Sequence, residues 1–170
     1  MIPNYEKFTT DTGFGSPQLL RDAVDSVWAW LESSYPPGEL RDTVERIDAQ
    51  APDAAEFASP FTSAALDAAN ATAILLEAII SPADADPFEV ASLARDTVDL
   101  YVQQSERLYP NDRQLEEEIN CHPLMQAELQ CQKRDLEELA KWTGTRSDSA
   151  RCLRDQPPWS KGGSLDPTQT

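Results

Sequence analysis

At 170 residues and 18.9 kDa the chain is long enough for one domain with a sizeable core, and its 40% apolar and 26% charged residues are ordinary globular values. A net charge of −16 repels phosphate backbones and anionic lipid surfaces, which argues against nucleic-acid and membrane partners and leaves solubility or a basic partner as its explanation. No stretch reads as the roughly 18 apolar residues a bilayer crossing needs, and the opening MIPNYEKFTTDTG lacks the basic-then-apolar order of a secretory signal.

The first fifteen residues, with Gly13 and Gly15 flanking Phe14, read as a loop or short turn. Ser16-Pro17 then offers a cap followed by proline at the first helical position. Leu20, Val24, Val27, Trp28 and Leu31 follow on one helical face. Tyr35-Pro36-Pro37-Gly38 breaks the chain. A second helix is expected over 39–50, with Leu40, Val44 and Ile47 as a narrow stripe, stopping before Pro52.

Ser59-Pro60 repeats the cap-then-proline start and opens the most apolar helix, over 61–80. Phe61, Ala65, Ala68, Ala69, Thr72, Ala73, Leu75, Leu76, Ile79 and Ile80 cover more than half its circumference, so it is expected at the centre of the fold. Asp86-Pro87-Phe88-Glu89 has the pattern of a capping box. The helix it starts is expected to reach about Leu108, burying Val90, Leu93, Ala94, Thr97, Val98 and Tyr101. Asn111 or Asp112 could cap a short acidic helix through Ile119. Pro123 opens a long helix whose stripe is Met125, Leu129, Gln132, Leu136 and Leu139, ending near Trp142 with Gly144 suited to the turn beyond.

From Thr145 the periodicity is lost. Residues 145–170 carry four basic and three acidic side chains in a Pro, Gly, Ser and Gln-rich context, which predicts a disordered tail with Trp159 unstructured inside it. There is no internal repeat. The expectation is a single all-α domain over 1–144, a bundle of about five helices around a central apolar one, followed by that tail.

The segment Ile2-Pro3-Asn4-Tyr5-Glu6-Lys7-Phe8, then Thr12-Gly13-Phe14-Gly15, leading into a helix with Leu20, Val27 and Trp28, resembles the YjaG-like family of bacterial domains of unknown function. Leu66-Asp67-Ala68-Ala69 is similar to that family's central helix. The stretch from Leu115-Glu116 through His122-Pro123 to Arg134-Asp135 is similar to its last third. The resemblance implies an all-α, cytoplasmic protein, with Pro3, Asn4, Tyr5, Gly13, Phe14 and Gly15 as structural motif residues. It implies no activity. Family members usually carry a further helix before the PNY segment. Either translation begins at Met1, or the start lies upstream and the missing helix leaves a groove that favours self-association.

The residues that could carry chemistry are few. Cys121, Cys131 and Cys152, odd in number and irregularly spaced, are expected as reduced thiols. His122, the single histidine, lies near Glu116, Glu117, Glu118, Cys121 and Cys131, yet Pro123 places it at a helix boundary rather than on a ligand face. No metal and no cofactor are expected, and His122 reads as a capping or surface residue. Cys121 and His122, as neighbours, diverge too far for nucleophile and base. Gly13-Phe14-Gly15 lacks the preceding strand and following lysine of a phosphate loop.

Asp67, on the central helix, must be paired, hydrogen-bonded or protonated; a bond from the Asn4/Tyr5 segment or from an arginine is the expected solution. Glu77, ten residues on, is expected to be exposed. The leading function is therefore a non-catalytic binding domain whose partner surface lies on its acidic helices. The alternatives are an enzyme or small-ligand binder with a pocket between the N-terminal segment and the central helix, using Tyr5, Trp28 and Asp67, and a structural homo-oligomer.

Overall fold

The computed structural model describes residues 1–33, 40–86, 88–108, 115–141 and 143–155. Among them are eight helices and no strand: α1 (Ile2–Thr12), α2 (Pro17–Ser33), α3 (Leu40–Asp48), α4 (Thr62–Ile80), α5 (Glu89–Glu106), α6 (Leu115–Cys121), α7 (Pro123–Lys141) and α8 (Arg146–Asp155). The fold is all-α. The expected break at 35–38, Pro87, the Asn111 or Asp112 cap, Trp142, the Cys152 side chain and the tail from residue 156, Trp159 included, lie outside the described residues.

Helix α4 holds the centre. It packs against α1, α2, α3 and α5, and Ala65, Ala68, Ala69, Thr72, Ala73 and Leu76 are all buried. The small side chains let neighbouring backbones approach on several sides, which suits a helix that is apolar nearly all round. Its length and composition do suffice for a membrane crossing, contrary to the reading from sequence. Here the burial is by α1, α2, α3 and α5.

Two core clusters result. The larger joins Tyr5, Phe8, Leu20, Ala23, Leu40, Val44 and Ile47 to the buried face of α4. The smaller joins Val98 and Val102 of α5 to Ile119 of α6 and Met125 of α7. The α5 and α7 helices run antiparallel, because Val102 packs with Met125 while Gln132 Nε2 donates to Ala91 O at 3.0 Å further along.

The N-terminal segment corrects the first expectation: it is a helix, not a loop. Pro3 sits in its first turn, where no N–H is missed. Gly13, at φ 72°, closes it in the left-handed conformation with its N–H on Thr9 O at 2.8 Å. Tyr5 and Phe8, one turn apart, form a buried face that was too short to stand out as a periodic run.

The expected tail is corrected as well, because residues 146–155 are helical. Thr145 Oγ1 accepts from the Asp148 N–H at 3.3 Å and donates to Asp148 Oδ2 at 2.7 Å. Thr145-Arg146-Ser147-Asp148 is thus a start signal, and α8 lies on α2.

Three further details differ. Ser59 does not cap α4 directly: its hydroxyl accepts from Phe61 N–H at 3.2 Å and donates to Asp11 Oδ2 at 2.9 Å, tying the end of α1 to the start of α4. Asp86 accepts from Phe88 N–H at 2.8 Å, and α5 begins only at Glu89. The stripe expected on α7 is buried only at Met125 and half-buried at Leu129 and Gln132, while Leu136 is 61% and Leu139 46% exposed. They extend past Gln132, which is already level with Ala91 in the first turn of α5.

Candidate functional site

The motif residues of the N-terminal helix turn out to interlock. Tyr5 is fully buried, and its hydroxyl donates to Gln50 O at 2.8 Å, joining α1 to the turn after α3. Burial pushes the phenol's pKa up, and a backbone hydrogen bond from Ser16 opposes this. Gly15, at φ 83°, lies so close that a Cβ there would stand 2.9 Å from Tyr5 Cζ. Phe14 reaches Phe8 and Phe57, with ring centroids 6.2 and 4.9 Å away. Asn4 is buried beside them, and its side-chain amide has no hydrogen-bond partner among the described residues.

Asp67 makes a different bond from the one expected. Thr97 of α5 donates its hydroxyl to Asp67 Oδ2 at 2.7 Å, bridging the central helix to α5. Among the described residues, neither the N-terminal segment nor an arginine supplies the partner. Desolvation raises the Asp67 pKa, the Thr97 bond lowers it, and the nearby Asp96 adds to the rise. Trp28 is half-buried on α2. Tyr5 faces Gln50 and Gly15, while Asp67 faces α5.

His122 sits between α6 and α7. Its Nδ1 accepts from Leu124 N–H at 3.3 Å at the start of α7, and its Nε2 lies 3.9 Å from Glu106 Oε1. It therefore caps. Cys121 is exposed and Cys131 half-buried on the next helix. Among the described residues no three His, Cys, Asp or Glu side chains converge on one point.

A well-defined concavity lies elsewhere. A cleft of about 330 Å³ opens between α3, the last turns of α4 and the α4–α5 connection. Its apolar lining comes from Val44, Ile74, Ala78 and Ile80, and its acidic lining from Glu45, Glu77, Asp84, Asp86 and Glu89. Arg41 is the single basic residue among them. All five acids are exposed at its rim. Glu45, Glu77, Asp84 and Glu89 form no ion pair among the described residues, and Asp86 is held by its turn. The C-terminal end of α4 borders the same space, and a helix C-terminus carries partial negative charge.

Sequence reasoning found Glu77 as an exposed acid but missed the other rim residues. They come from three segments that only the fold brings together. The one local signal was Arg41, Val44 and Glu45 at helical spacing on α3.

The geometry defines an all-α helical domain with an acidic, apolar-floored cleft. The chain belongs to the DUF416 family: the family model described as "Protein of unknown function (DUF416)" matches residues 1–158. It is also similar in structure to a DUF416 family protein from Shewanella baltica OS155, at 25% identity over 90% of this chain and 78% of that one, with a TM-score of 0.82. No curated protein matches. A domain family of unknown function is what these likenesses support.

Proposed function

We propose that the chain is a non-catalytic binding domain of the cytoplasm, and that its cleft receives basic side chains of a partner protein. The observation that carries this is the cleft's composition: five carboxylates at the rim of an aliphatic floor, with Arg41 the lone cation. A lysine or arginine side chain has the matching anatomy, an aliphatic stem that buries while its charged head stays at the rim. The net charge of −16 speeds the approach of a basic partner and repels nucleic acid and anionic membranes. The finer kinship with the YjaG-like group belongs to this reading and rests on the PNY and TGFG residues.

A ligand pocket through Tyr5, Trp28 and Asp67 has less to support it, because the Tyr5 hydroxyl and the Asp67 carboxylate are each spent on a structural bond. The test is fluorescence anisotropy with a short labelled peptide of alternating arginine and leucine. Saturable binding is expected, weakened about tenfold by Glu77→Gln, Asp84→Asn and Glu89→Gln together, a factor equal to about 1.4 kcal/mol. Equal binding by wild type and the triple variant, or no binding by either, sinks the reading.

A further inference from the structure

Helix α8 carries its own lesson in recognition. It lies on α2, and three of its described side chains reach that helix through polar or charged groups. The Arg146 guanidinium stacks over the Trp30 ring, 4.3 Å from its centroid. Ser147 Oγ donates to Glu32 O near the end of α2. Arg154 bridges two turns of α2, reaching Glu32 Oε1 at 3.1 Å and Asp25 Oδ1 at 3.3 Å. Ala150 of α8 is buried. Arg146 and Ser147 meet the last turns of α2, and Arg154 reaches from Glu32 back to Asp25.

We propose that the α2 face formed by Asp25, Trp30 and Glu32 is a docking surface for an arginine-bearing amphipathic helix, and that α8 is its built-in, displaceable occupant. The partner helix has an arginine at each end of a span of just over two turns, as Arg146 and Arg154 do. One stacks on the indole and the other forks between the two carboxylates. The complementarity is already demonstrated by α8 itself. What makes the occupant displaceable is that its described ion pairs meet water, with Asp25 66%, Arg154 41% and Glu32 26% exposed, and are screened by salt. A partner offering the same arginines plus more apolar area would win the face. The premise that partners are basic is shared with the cleft reading, but the surface is a different one.

The experiment uses the full chain and, as probe, a fluorescein-labelled peptide of residues 145–155 carrying Cys152→Ser. Arg146→Ala with Arg154→Ala loosens the resident helix, so this variant is expected to bind the peptide about tenfold more tightly than wild type does. Asp25→Asn with Glu32→Gln, added to that variant, is expected to abolish the gain; all four positions are solvent-accessible, and unchanged helical circular dichroism checks the fold. Glu77→Gln with Asp84→Asn is expected to leave peptide binding unchanged. Absence of saturable binding to the loosened chain overturns the proposal, as does a gain that survives loss of Asp25 and Glu32. Loss of binding with the cleft variants alone would also overturn it, while leaving the cleft reading standing.

Discussion

The Tyr5 phenol rests against the backbone of Gly15, leaving no room for a side chain between them. That contact ties three separate features into one device. It holds the chain's return from α1, it aims the hydroxyl at Gln50 O, and it sets the entry of α2. The two glycines of the motif therefore have different reasons to be glycine, and they should respond differently to substitution.

Gly13 and Gly15 both sit at positive φ, but a Cβ at Gly13 meets open space. Gly13→Ala is expected to cost about 1–2 kcal/mol, the conformational term alone. Gly15→Ala adds a collision with a fully buried ring, and overpacking brings roughly 1–3 kcal/mol more. Urea denaturation of the two variants measures the difference. Equal losses would show that the Tyr5 contact is dispensable.

Tyr5→Phe removes the donor to Gln50 O and keeps the ring. The expected loss is about 1–2 kcal/mol, the cost of an unmade hydrogen bond at a buried group. It should be accompanied by a changed response to alkali. The wild-type phenol has a raised pKa, so it stays protonated in the folded chain where the unfolded chain has begun to ionise. Its contribution is present below about pH 10 and is lost as pH rises through the folded value. Unfolding curves between neutral pH and strong alkali should therefore fall less steeply for the phenylalanine variant.

Asp67 gives a second pH signature. Its pKa is raised above the ordinary 3.8, so the folded chain holds this proton longer than the unfolded one. The sign follows: its contribution is complete below 3.8 and declines as pH rises through the folded value, then levels off. Asp67→Asn keeps an acceptor for the Thr97 hydroxyl and removes the charge. Stability measured from pH 3 to 7 should lose this slope in the variant. Thr97→Val should cost about 1–3 kcal/mol at neutral pH by leaving the carboxylate without its donor. Less of that cost should appear in the Asp67→Asn background, and the difference is the coupling.

The stripe of α7 offers a test of burial against pattern. Leu76 on α4 is fully buried while Leu136 is 61% exposed. Leu76→Ala is expected to cost about 2–5 kcal/mol. Leu136→Gln is expected to stay within about 0.5 kcal/mol. Thermal or chemical unfolding of the pair decides it, and a large loss at Leu136 would mean that the face is covered in solution.

The helical class, the central place of α4 and the starts of α2 and α7 were legible because a repeating apolar face and a cap or proline are local properties. Helix α1 was missed because Tyr5 and Phe8 make only one buried turn, and its glycines read as a loop rather than as a helix end. Helix α8 was missed because its composition is polar. It is held on α2 by Arg146 on Trp30 and Arg154 between Asp25 and Glu32, partners more than a hundred residues away.

By itself, the sequence determined the all-α class, the strong negative charge and which helix sits innermost, since these follow from residue type and spacing along one segment. Only the tertiary structure decided that Asp67 answers to Thr97, that Leu136 and Leu139 stay in water, and that Arg41, Glu77 and Asp84 share a cleft. Those outcomes depend on which segments meet in space. Packing between distant helices sets that, and no local pattern encodes it.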